Sequence, residues 1–133
     1  MENKSKKILA EISPGELMDK ISILEIKLSK IKDKNTHDAI NKEYQILLKT
    51  KNINVKSTDN IKKLFTQIKK INLDLWNIED KIRLCEKNKD FSQTFIALAR
   101  DVYFTNDKRS KVKSEINKAL ASDISEIKQY IKY

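Results

Sequence analysis

The residues best suited to chemistry gather in one part of the chain. All three arginines, Arg83, Arg100 and Arg109, lie between positions 83 and 109, in a sequence that otherwise draws its positive charge from lysine. Arginine offers a planar fork that matches a carboxylate or phosphate, which lysine cannot imitate. Glu79, Arg83 and Glu86 stand at i, i+4 and i+7, so on a helix they form one stripe, with Trp76 a turn earlier. Folding the chain back about Lys89 brings Glu79 level with Arg100, Trp76 with Tyr103, and Asn72 with Asn106 and Asp107. The candidate site is therefore Trp76, Glu79, Arg83, Glu86, Arg100, Tyr103, Asn106 and Arg109. Its plainest reading is a layer of interhelical ion pairs that fixes register. The alternatives are a pocket for a small anion between helices, and acid–base catalysis by Glu79 or Glu86 on an anionic substrate held by the arginines. The anions in view are a sugar phosphate, a nucleotide sugar or a dicarboxylate.

Much other chemistry is excluded. With Gly15 as the only glycine, no Gly-rich phosphate loop can be built. His37, expected in a turn among Asn35, Thr36 and Asp38, has no second His or Cys at ligand spacing, so neither metal nor cofactor is expected. Cys85 falls on an apolar seam and reads as a buried, inert thiol, remote from His37. Aromatic residues do not alternate with basic ones as a base-stacking surface requires.

The elements that position these residues read as helices. Ser13-Pro14-Gly15-Glu16 has the form of a helix start, with Ser13 as N-cap, Pro14 at the first helical position and Glu16 closing a capping box. Ile12 is placed to staple against Leu17. Behind this cap, Leu17, Ile21, Leu24, Leu28 and Ile31 repeat at spacings of 4, 3, 4 and 3. The same period runs through Ile61, Leu64, Ile68, Ile71, Leu75, Ile78, Ile82 and Cys85, and again from Phe91 to Ala119. The spacing predicts a basic tail over 1–10, a helix over 14–33, a shorter one over 37–51, long helices over 59–88 and 91–121, and a short last helix over 123–132. Asp90 reads as the cap of the second long helix, and Phe104-Thr105-Asn106-Asp107 as a point where it could break. The turn at Asn88-Lys89-Asp90 is short, so the long helices should be antiparallel neighbours. The fold class is all-α: an antiparallel helical bundle built on a long helical hairpin, in one domain.

Bulk properties bound the partners. No apolar run approaches the ~20 residues that a membrane span needs, and Ile8-Leu9-Ala10 is too short for a signal peptide core, so a cytoplasmic location is expected. The net charge of +9 admits nucleic acid as a partner. Lysine is nevertheless spread along the whole chain and interleaved with Glu and Asp, so nucleic acid ranks below the other readings. One short helix can hardly cover both long ones, which favours a homodimer. The first expectation for function is thus a helical binding module, with a small anionic ligand as the alternative.

Three blocks carry a resemblance: EISPGELMDKISILEIKLSKI at 11–31, LWNIEDKIRLCEKNKDF at 75–91 and FIALARDVYFTNDKRSKVKSEIN at 95–117. Together they are similar to a bacterial domain-of-unknown-function family, number 6165 (DUF6165). The resemblance implies the fold and stresses the 75–117 hairpin. It brings no activity, cofactor or catalytic residue. It also implies a weak link to glycosyltransferases and surface-polysaccharide systems.

Overall fold

The computed structural model describes residues 6–122, 127 and 129–133. Four helices form among them: α1 (Pro14–Lys30), α2 (Lys34–Asn54), α3 (Asp59–Lys87) and α4 (Gln93–Ala119). Each matches an expected helix, and no strand occurs among the described residues. The chain is therefore all-α. Of the expected helix over 123–132, residues 123–126 and 128 lie outside the described residues, and 127 and 129–132 are not helical. Residues 6–12 are exposed and form no helix, as a tail should.

Side-chain caps set the starts of the first three helices. Ser13 Oγ accepts from Glu16 N at 3.1 Å, with Pro14 inside the first turn. The reciprocal half of the expected capping box gives way to a tertiary contact, because the Glu16 carboxylate accepts from Lys113 Nζ at 2.7 Å. Ile12 remains substantially exposed, so the expected staple contributes little. Helix α2 begins earlier and ends later than its apolar spacing suggested, because Asp33 accepts from both the backbone N–H and the hydroxyl of Thr36. Those bonds hold the Asp33 carboxyl below its usual range. His37 accordingly sits in the first helical turn rather than in a loop, its Nε2 3.1 Å from the Leu28 carbonyl. Ser92 takes the N-cap position of α4, since the Asp90 carboxylate is spent inside the connection, accepting from Ser92 N. Helix α4 runs unbroken through 104–107, where no Pro or Gly interrupts its backbone hydrogen bonds.

Helices α3 and α4 are antiparallel neighbours. Gln67 and Ile71 share a hollow with Lys108 and Val112, while Lys81 and Cys85 share one with Thr94 and Leu98. Helix α1 lies against both, antiparallel to α4, and α2 packs on α1. The core is Leu17, Met18, Ile21, Val55, Ile61, Leu64, Ile68, Val112 and Ile116, with Tyr44, Leu47 and Phe65 packed against it. Glu25 ties three helices together, accepting from Tyr44 Oη on α2 and Lys69 Nζ on α3.

The 17 residues of α1 span about 25 Å and the 29 of α3 about 43 Å. Core burial follows α1. Ile61, Leu64 and Ile68 are sealed, whereas Ile71, Leu75, Ile78 and Ile82 further along the same seam are only half-buried. The last turns of α3 and the first of α4 thus project as a bare hairpin.

Gly15 explains the chain's single glycine better than helix entry does. A Cβ there would lie 2.5 Å from the Lys113 carbonyl oxygen and 2.8 Å from Asn117 Oδ1. Asn117 Oδ1 itself accepts from Gly15 N at 2.7 Å, so α4 caps α1 across the core. Helix propensity alone would make Gly15→Ala stabilising by about 1 kcal/mol. The backbone contact reverses the sign. Urea unfolding of Gly15→Ala should show a loss of about 1–3 kcal/mol, the usual cost of overpacking. A gain would mean that α1 and α4 do not approach so closely.

Candidate functional site

The polar residues that α1, α3 and α4 bring together form one continuous network. Asp19 on α1 is 1% exposed. Its Oδ1 accepts from Arg109 Nε at 3.1 Å and from Asn72 Nδ2 at 2.8 Å, and its Oδ2 from Arg109 Nη2 at 2.8 Å. Asn72 also donates to Ser22 Oγ at 2.7 Å, and Ser22 Oγ in turn donates to the Asp19 carbonyl. One turn away, Lys113 donates to Glu16 and stands 3.9 Å from Asp19 Oδ2. No buried side-chain polar atom among the described residues is left without a partner. The network is therefore satisfied, which a buried charge requires.

The helices set this up by simple spacing. Glu16 and Asp19 are three apart on α1, and Arg109 and Lys113 four apart on α4, so each pair shares a helix face. Because α1 and α4 run antiparallel, Glu16 meets Lys113 while Asp19 meets Arg109.

Beside the network lies an open groove of about 320 Å³, lined by Ile23, Ile26 and Lys27 of α1, Leu75, Trp76, Glu79 and Asp80 of α3, and Arg109. It contains three of the eight residues singled out by sequence: Trp76, Glu79 and Arg109. The other five go elsewhere. Arg83 pairs with Glu79 along α3 at 3.4 Å, both exposed, and Glu86 with Lys89 at 3.6 Å. Glu79 thus meets the arginine one turn along its own helix, and the expected cross-helix partner, Arg100, lies over the Phe104 ring at 5.6 Å. Tyr103 and Asn106 border a second hollow, of about 690 Å³, with Asp107 and residues 130–133. There Tyr133 packs edge-on to Tyr103 and Phe104 and donates its hydroxyl to Asp107, whose carboxylate pushes the Tyr133 phenol up to about 12.

Sequence reasoning missed Asp19, Ser22, Lys113 and Asn117, and it set Asn72 beside Asn106 and Asp107, whereas Asn72 bonds to Asp19 and Ser22. The available signal was polar residues at core spacing: Arg109, Lys113 and Asn117 every fourth residue on α4, facing Glu16 and Asp19 in the first turns of α1. Cys85 is buried, as its seam position implied. Among the described residues, no three His, Cys, Asp or Glu side chains are grouped so as to hold a metal ion. No helix among them is long and apolar enough to cross a membrane.

The fold and site define a small all-α protein in which a three-helix salt-bridge network borders an open groove. The chain belongs to the family of unknown function DUF6165, whose family model matches residues 8–132, nearly the whole chain. Comparisons with curated proteins and with solved structures find no match.

The network should behave as one unit. Removing Arg109 leaves the Asp19 carboxylate sealed in the core with Asn72 as its hydrogen-bond donor and Lys113 Nζ 3.9 Å from Oδ2. Arg109→Ala should therefore cost about 3 kcal/mol, the low end for breaking a buried pair because Arg109 keeps some contact with water. Combining it with Asp19→Ala should recover part of that loss, since the stranded charge is gone. A denaturant-unfolding double-mutant cycle measures this, and strict additivity would refute the coupling.

Proposed function

We propose that this protein is a helical interaction module whose projecting α3–α4 end receives a second copy of the chain. The observation that carries this is a charge partition. Residues 72–107 hold seven acidic and five basic side chains, leaving twelve acidic and 23 basic for the rest. The hairpin segment is thus close to neutral on a protein of net charge +9. Two copies meeting elsewhere would press strongly positive surfaces together. Meeting at the hairpin, they would not.

The same segment carries uncovered apolar surface. Leu84, Phe91 and Ile96 are 56%, 54% and 45% exposed, and the Phe91 and Phe95 rings stack edge to face near the turn. Large exposed apolar side chains grouped at one end of a molecule mark an interaction site more often than isolated ones do. A two-helix end supported by a third helix only at its base can also gain its missing layer from an identical end. Pairing about a twofold axis uses the same patch on both copies and closes at two.

Sedimentation velocity tests this reading. The chain should sediment as a dimer at about 100 µM, a concentration at which a micromolar dimer is nearly complete. Leu84→Glu combined with Phe91→Glu should make it monomeric while leaving the thermal midpoint of the base intact, because neither side chain belongs to the core. High salt should not dissociate the dimer, since the interface is apolar and near neutral. A wild-type monomer at that concentration, or a dimer unaffected by both substitutions, would overturn the assignment.

A further inference from the structure

The groove beside Trp76 is independent of the hairpin end, and its chemistry is unusual for a surface depression. Arg109 forms its wall, but Asp19 uses only one edge of that guanidinium, the edge made by Nε and Nη2. Among the described residues the Arg109 side chain donates hydrogen bonds to Asp19 alone, which leaves the second edge, Nη1 and the remaining N–H of Nη2, unspent. Arg109 is 30% exposed and lines the groove. A guanidinium fixed on one edge and open on the other is preorganised to grip a carboxylate with the fork geometry that suits it.

The opposite end of the groove carries two carboxylates, Glu79 and Asp80, against one lysine, Lys27 of α1. Asp80 has no ion-pair partner among the described residues, and Glu79 is held by Arg83 only at 3.4 Å on the exposed surface. Ile23, Ile26, Leu75 and Trp76 form the wall between the two ends. Arg109 stands level with Asn72, since both bind Asp19, and Asp80 lies eight residues further along α3, about 12 Å at 1.5 Å per residue. Helical side chains lean toward the N-terminus of their helix. Asn72 and Asp80 share α3 and lean alike, so the Arg109 guanidinium and the Asp80 carboxylate stay about 12 Å apart along the groove, with Glu79 about one residue rise nearer.

We propose that this groove binds a small zwitterion whose carboxylate and ammonium terminate a short aliphatic chain, the carboxylate on Arg109 and the ammonium at Asp80 and Glu79. Each alternative anion fits less well. A phosphate or dicarboxylate would bring two negative charges beside Asp80 and Glu79. A simple cation would face Arg109 and Lys27. A zwitterion meets both ends with opposite charge and lays its methylenes on Trp76 and the three aliphatic side chains. A groove of about 320 Å³ sits at the small end of ligand sites, which suits a molecule of this size.

Calorimetric titration with unbranched ω-amino acids from 4-aminobutanoate to 8-aminooctanoate tests the assignment. Affinity should peak at an intermediate chain length. Hexanoate and hexylamine, which each lack one charge, should bind at least about tenfold more weakly than 6-aminohexanoate. Asp80→Asn touches no core residue. It should reduce the preference for the amino acid over hexanoate while the circular-dichroism spectrum stays unchanged. Trp76→Ala should weaken all chain lengths together. Equal binding of hexanoate and 6-aminohexanoate, tighter binding of inorganic phosphate, or no binding of any length at about 10 mM would each overturn the proposal.

Discussion

The pairing of Asp19 with Arg109 is the constraint on which the rest of the structure depends. Asp19 is almost fully removed from water, so its charge must be met inside the protein. Only one relative position of α1 and α4 brings both Asp19 oxygens to the Nε and Nη2 edge of Arg109. Apolar seams tolerate sliding, because one aliphatic side chain substitutes for another at small cost. A bidentate ion pair with a third donor from Asn72 does not. The apolar core supplies the bulk of the driving force, and the network selects the register in which it is used.

That register explains the chain's economy with glycine. Once Asp19 and Arg109 are locked, the N-terminus of α1 is carried against Lys113 and Asn117, where no Cβ fits. Asn117 then satisfies the Gly15 N–H that the helix cannot. The same placement determines where α1 ends along α3. Its last groove contacts reach Glu79 and Asp80, and beyond them the seam of Ile82 and Cys85 is shared by two helices alone. The uncovered hairpin end and the groove thus follow from a single packing decision.

The fold was legible in the sequence because apolar period and capping chemistry are local. The spacings from Leu17 to Ile31 and from Ile61 to Cys85 name their helices directly, and Ser13-Pro14 marks a start. The limits of α2 were less visible because Asp33 caps it through Thr36 ahead of any apolar residue. The cap of α4 was misplaced because Asp90 and Ser92 both have capping side chains, and only the backbone path through Lys89, at φ 55°, decides between them. The candidate site was read from half of its partners. The arginines point to ion pairs between α3 and α4, whereas the buried charge, Asp19, sits on α1. Arg83 and Arg100 draw the eye by residue type but stay on the surface. Arg109 occupies a seam position, but its partner Asp19 is 90 residues away in the chain. Nothing in local spacing connects those two residues.

The choice of arginine at 109 and lysine at 113 follows the demands of the two sites. Lys113 lies 8% exposed and gives one short bond to Glu16, which a compact ammonium can do. At 109 a lysine could neutralise Asp19, but it would place a single point charge where two oxygens need donors at once, and it would leave nothing to present outward. Arginine serves the buried carboxylate with one edge and still shows polar N–H groups to the groove with the other. A chain that otherwise favours lysine therefore spends an arginine where one cation must face two directions. The buried network and the groove are in that sense one feature, because the side chain that fixes register is also the one best placed to hold a ligand's carboxylate.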